Sequence, residues 1–200
     1  MKITLFILLF FSFITKSFST TLQEANEAYL KAISHNAKME NVLNAEEHFL
    51  ELEKHHETFY NKLRLASITA LKAKFSTFKK ISLVNSAIDK FNALELVLNQ
   101  DSVVDLYEFH FFRGRVFYQL PKFFGKKEIA KEDIIKAVQI LESQKLKRDD
   151  GEVARLFLSF ALVLKDEGKE GEAKKFAQKS LQFNALEKED VLIAKELIGK

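Results

Sequence analysis

Three alanines, Ala87, Ala130 and Ala173, stand 43 residues apart, and three further small residues, Ser67, Gly114 and Ala161, stand 47 apart. Self-similarity at such a period marks a repeated supersecondary unit, not one irregular core. The segments that carry these residues also carry apolar stripes at three- and four-residue spacing, the helix period. One stripe is Phe59, Leu63, Ala66, Ala70 and Ala73; a second is Val104, Tyr107, Phe111, Gly114 and Phe117; a third is Val153, Phe157, Phe160, Ala161 and Leu164. Two antiparallel helices approach closely only where side chains nearly vanish at the crossing. Each such pair leaves an apolar face that a neighbouring pair must cover, so the units stack. With 6 Gly and 1 Pro in 200 residues, and no long run of strict alternation, the chain reads as all-α, helices joined by short turns. Ser102 with Asp105, Asp149 with Glu152, and Asn184 with Glu187 are the expected helix starts. Pro121, Gly125, Gly151 and Gly168 fall between stripes as turn residues.

The clearest unit is residues 154–185, ARLFLSFALVLKDEGKEGEAKKFAQKSLQFNA. It resembles a tetratricopeptide repeat (TPR). Ala161 takes the small position of the first helix, Gly168 to Glu172 the turn, and Ala173 the small position opening the second helix. Ser180, Leu181 and Phe183 follow at the family's later positions, and Ala185 stands where the family has proline. Upstream, Ala87 with Phe91 and Leu94, and Ala130 with Ala137 and Ile140, repeat the second-helix pattern with longer intervals. The resemblance implies an α–α superhelix, a solenoid of antiparallel pairs. Three pairs would occupy 58–185, a capping helix 186–200, and one or two further helices 20–57. Residues 72–80 (KAKFSTFKK) and 107–134 (YEFHFFRGRVFYQLPKFFGKKEIAKEDI) also look like a group of small exported bacterial TPR-like proteins. That group has no defined activity, so the likeness speaks for fold and export.

Residues 1–19 read as an address. Met1-Lys2 is followed by an apolar run from Ile3 to Thr15, then by Ser17-Phe18-Ser19 with small residues where a signal peptidase reads. The run is 13 residues long, short of the roughly 20 that a membrane span needs. With Lys2 and Lys16 removed, 29 basic residues face 28 acidic ones, a net charge of +1. The expected product is exported, periplasmic or secreted, with no further membrane span. No basic excess gathers as a nucleic-acid binder would need.

Catalytic and metal motifs are sparse. The absence of Cys excludes a disulfide framework, cysteine-ligated zinc or iron–sulfur, a thiol nucleophile and a lipoprotein anchor. No G-x-S-x-G elbow or phosphate-cradling glycine loop occurs, so no enzyme is expected. His48, Glu51 and His55 share one helix face at i, i+3 and i+7, a spacing that suits a transition metal. We read that face as solvated and expect no cofactor or metal. His35 and His110 have no evident partners in the sequence.

The aromatic cluster at 107–124 is too broad for one stripe. Either its helix is central and buried on most sides, or some rings line a groove. Phe123 and Phe124 are expected to plug the seam between units. In TPR arrays the first helix of each pair lines the concave face. Transferred in register, that resemblance places Asn61, Arg64, Ile68 and Leu71 there, then Glu108, Phe111, Arg115 and Tyr118, then Arg155, Leu158, Leu162 and Lys165. The candidate binding residues are therefore Arg64, Phe111, Arg115, Tyr118, Arg155 and Lys165, a basic line with apolar interleaving. Such a surface suits a peptide or protein partner with an acidic group, because guanidinium forks match carboxylates. The competing reading has these arginines solvated or paired with glutamates on neighbouring helices. The family's dicarboxylate-clamp pattern of paired Lys and Asn is not reproduced. The expected function is a non-catalytic scaffold; the alternative is a small-molecule-binding accessory subunit of an envelope transport system.

Overall fold

The computed structural model describes residues 20–199, which form an all-helical chain without strands. The expected signal segment lies outside the described residues. The helices are α1 (Leu22–Ile33), α2 (Met39–His55), α3 (Phe59–Phe75), α4 (Lys80–Leu96), α5 (Val103–Tyr118), α6 (Lys127–Ser143), α7 (Asp150–Asp166), α8 (Glu170–Leu181) and α9 (Lys188–Ile198). A 3-10 turn, Lys122–Phe124, precedes α6. Among the described residues no helix is long and apolar enough to cross a membrane.

Local chemistry sets most boundaries. Thr21 starts α1 with a capping box: its hydroxyl accepts from the Glu24 amide at 3.2 Å, while its own amide donates to Glu24 at 2.8 Å. Thr58, Ser102 and Asp149 cap α3, α5 and α7 in the same sense, each side chain accepting from an amide of the first turn. Asn184 does not cap. It takes a left-handed φ of 49° that helps end α8, and α9 starts only at Lys188. Asparagine tolerates that region better than most residues, which is why a cap-type residue serves as a stop here. Gly151 is likewise not a turn residue; it lies in the first turn of α7.

Consecutive helices pack as hairpins α1–α2, α3–α4, α5–α6 and α7–α8, with α9 against α8 and α7. The N-terminal segment thus holds two helices, paired like the others. All six small residues at the 43- and 47-residue spacings are buried. Gly114 shows why: a Cβ there would lie 3.0 Å from Asp133 Cβ and from Ile134 Cγ1 of α6. First helices of neighbouring hairpins also touch, α1 with α3 and α3 with α5. Glu108 meets Arg148 just ahead of α7, and Tyr118 meets Asp166 where both helices end, so α5 and α7 run in the same direction.

Helix α5 is the centre of the molecule. Tyr107, Phe109, Phe111, Phe112 and Phe117 are all buried, so the helix has no solvent face over its middle. On its α6 side, Arg113 donates to Asp133 through Nε at 2.6 Å and Nη2 at 3.0 Å, and pairs with Glu95 at 2.9 Å. His110 Nδ1 meets the same carboxylate at 2.7 Å, so it is not partnerless. A buried Asp133 at 1% exposure survives because two side chains saturate both its oxygens. The expected seam plug is corrected in part. The 3-10 turn directs Phe124 towards the core but leaves Phe123 73% exposed.

The loop after α1 meets the start of α9. At the end of α1, the His35 amide donates to Glu187 at 2.9 Å and its ring meets Asp190 of α9 at 3.1 Å. The first helices of the four hairpins face a common interior.

Candidate functional site

That interior is a pocket of about 700 Å³. Helix α1 contributes Asn26, Tyr29, Leu30 and Ile33; α3 contributes Arg64, with Tyr60 beside it; α5 contributes Glu108, Phe111, Phe112 and Arg115. The segment 147–155, Lys147 through the start of α7, contributes Lys147, Arg148, Asp149, Glu152 and Arg155. Basic residues number five and acidic residues three, an excess of two positive charges. A larger hollow of about 860 Å³ opens beside Thr20, but its lining holds no arginine or lysine.

The four arginines are in different states. Arg64 is buried, its guanidinium centred 4.2 Å from the Phe112 ring, 4.3 Å from Tyr29 and 4.7 Å from Tyr60. It also donates to the Tyr60 hydroxyl, which in turn donates to Asn26 at 2.6 Å. Those rings satisfy the cation in a way water otherwise would. Arg148 faces Glu108 at 3.0 Å and Glu152 at 3.9 Å. Burial pushes the Glu108 carboxyl up to about 7, opposed by Arg148 and Arg64 and reinforced by Glu152. Arg115 and Arg155 have neither a salt bridge nor a side-chain hydrogen bond from their guanidinium groups among the described residues; Arg115 lies 5.4 Å from the Phe111 ring. Burial first, and then the positive charge of Arg155, press the Arg115 guanidinium below its ordinary value. Gly151 leaves the room Arg155 occupies, for a Cβ there would stand 3.2 Å from Arg155 Nη1.

Several buried polar atoms in this lining have no hydrogen-bond partner: the donors Arg64 Nε, Arg148 Nε and Nη2 and Arg155 Nε, and the acceptor Glu152 Oε1. Buried polar groups are nearly always hydrogen-bonded, and here four such donors face one such acceptor, so donors are in excess.

Of the six residues singled out from the sequence, Arg64, Phe111, Arg115 and Arg155 come together in the pocket. Tyr118 and Lys165 do not. Tyr118 donates to Asp166 at 2.7 Å, and Lys127 sits 3.2 Å from its ring and 3.0 Å from Asp166. This cluster closes the far ends of α5 and α7, and Lys165 is exposed beside it. Asn61, Ile68 and Leu158 are buried away from the pocket, Asn61 donating to the His56 carbonyl at 2.8 Å. Missed by the sequence reading were Tyr29 and its α1 neighbours, and the charged run 147–152. The run was visible as KRDDGE; the α1 side carries no repeat and was legible only through the fold.

The histidine face has ordinary partners. His55 meets Glu51 at 3.2 Å and His48 meets Thr20 at 3.3 Å, in different directions. Among the described residues, the donor atoms close enough to share an ion belong to His35, Glu187 and Glu189, within 4.8 Å of one another where the loop after α1 meets α9. Comparison of the chain with protein-family models, with curated proteins and with solved structures gives no match.

Proposed function

We propose that this chain is a non-catalytic, TPR-like binding module, exported to the periplasm or beyond the cell, whose concave face holds a peptide or protein partner. The observation that carries the reading is the pocket itself, about 700 Å³ and lined by the first helices of all four hairpins. In a stacked array of helix pairs those helices form the inner surface, and a rigid curved surface presents its side chains with little ordering cost on binding. Apolar rings from Tyr29 and Phe111 and free cations from Arg115 and Arg155 give one wall to an apolar stem and another to an acidic group.

The bounded volume favours a second reading, a small-molecule accessory subunit of a transport system, because pockets of about 300–1,000 Å³ are the usual size for small ligands. Photo-crosslinking in the host separates them. A photoreactive residue at Leu30 or Lys147, on the pocket rim, is expected to capture one protein. The same residue at Leu96, 88% exposed on the far end of α4, is expected to capture none. Capture from Leu96 alone would overturn the concave-face reading. No capture anywhere, with the chain abundant, would select the small-molecule reading.

A further inference from the structure

We propose that Arg115 and Arg155 form the seat for a doubly charged oxyanion, either one phosphoryl or sulfate-like group or two carboxylates on one ligand. The inference rests on the pocket being the ligand-holding face, and it names the chemistry that face selects. Two like charges from different helices, α5 and α7, are brought to one half-buried pocket wall, and neither guanidinium has a salt bridge among the described residues; Asp190 and Glu152 act on Arg115 only at longer range. Arginine cannot shed its proton in a protein, so the repulsion is not relieved by neutralisation. It is relieved by an anion.

The other charges of the lining do not fill that role. Arg148 already uses Glu108 and Glu152, and Asp149 accepts from the amides of Gly151 and Glu152 as the cap of α7. Arg64 is held by its aromatic rings and the Tyr60 hydroxyl, so it stabilises the floor and is removed from the set of free recognition residues. What remains is Arg115 and Arg155, with Lys147 exposed at the rim. The unpartnered donors on Arg155 and Arg148 supply further N–H groups for an oxyanion with several acceptor oxygens. A neutral peptide segment offers carbonyl acceptors to these donors but no charge to offset Arg115 and Arg155. Phe111 and Tyr29 beside the seat give the ligand's remaining part an apolar surface.

Calorimetric titration of the full chain, at constant ionic strength, tests the seat. The probes are inorganic phosphate, sulfate, succinate, acetate and chloride. At least one dianion is expected to bind tenfold or more tightly than acetate and chloride. Phosphate or sulfate ahead of succinate identifies a single tetrahedral group; succinate ahead identifies paired carboxylates. Arg115→Gln and Arg155→Gln are each expected to weaken that binding at least tenfold, while Lys179→Gln on α8 leaves it unchanged. Without anion, both pocket variants are expected to melt at or above the wild-type temperature, since each removes one member of a repelling pair. Should either fail to fold, Arg115→Lys and Arg155→Lys keep the charge and are expected to retain binding. Equal binding of all five anions, or dianion binding indifferent to both arginine substitutions, overturns the seat. Protein capture at Leu30 or Lys147 without any dianion preference would leave the concave-face reading standing and sink this one alone. Arginine-dependent dianion binding without protein capture would keep the seat and assign it to a small ligand.

Discussion

Arg113 and Arg115 stand two residues apart on one helix and meet opposite fates. Two positions along a helix turn the side chain by about 200°, so the pair face different layers. Arg113 points at α6 and is spent on Asp133 and Glu95. Arg115 points into the pocket and meets aromatic rings and a second unpaired arginine. The same residue type is structural on one side of α5 and available on the other. What distinguishes them is a carboxylate within salt-bridge reach: Arg113 has two, and Arg115 has none among the described residues. A charge buried with its partner holds two helices together, and a charge gathered without one marks a place for something else.

The largest test of that contrast is Asp133→Ala, which strands His110 and leaves Arg113 with Glu95 alone. It is expected to cost on the order of 3–5 kcal/mol in chemical denaturation. If it cost no more than Arg115→Gln, the contrast between the two faces would collapse.

Next comes Glu108, whose carboxyl sits at about 7 in the fold against 4.5 as its ordinary value. The folded state therefore holds the proton more tightly, and this group's contribution to stability falls as pH rises from about 4.5 through 7. Its full size is about 3 kcal/mol, from roughly 1.4 kcal/mol per unit of displacement. The charged groups facing it are Arg148 and Glu152 at the start of α7 and Arg64 on α3. Wild type and Glu108→Gln, melted side by side from pH 5 to pH 8, should diverge, with the variant gaining on wild type as pH rises. Parallel curves would show that the site is not as closed as its burial implies.

Gly114 lies between the two arginines. Gly114→Ala places a methyl against Asp133 and Ile134, and a loss of about 1–3 kcal/mol is expected despite alanine's better helix propensity. A stabilised variant would mean that the α5–α6 crossing relaxes freely. The smallest effect belongs to Arg115→Gln and Arg155→Gln in the absence of ligand. Each is expected within about 0.5 kcal/mol of wild type, or above it.

Much of this was legible in advance, for local reasons. The helix period and the shortage of Gly and Pro describe each segment without reference to its neighbours. Ser102 and Asp149 cap their helices because the bonds they make span two or three residues. Ser67, Gly114, Ala161 and their counterparts are buried because a crossing needs a small residue whatever the partner is. Asn184 misled for the same local reason, since cap and left-handed stop draw on the same polar residue. Four of the six candidate pocket residues came from the groove positions that the TPR resemblance implies; Tyr118 and Lys165 dropped out because Asp166 and Lys127 close that end.

The sequence by itself determined the helices, their turns and the small residues at their crossings, because those depend on contacts within a turn or two of chain. Only the tertiary structure decided which charges are paired. Asp133 reaches Arg113 across 20 residues, Arg148 reaches Glu108 across 40, and His35 reaches Asp190 across 155. Whether an arginine finds a carboxylate is a question of which helix faces it. Helix order and curvature settle that, and they are properties of the packed whole.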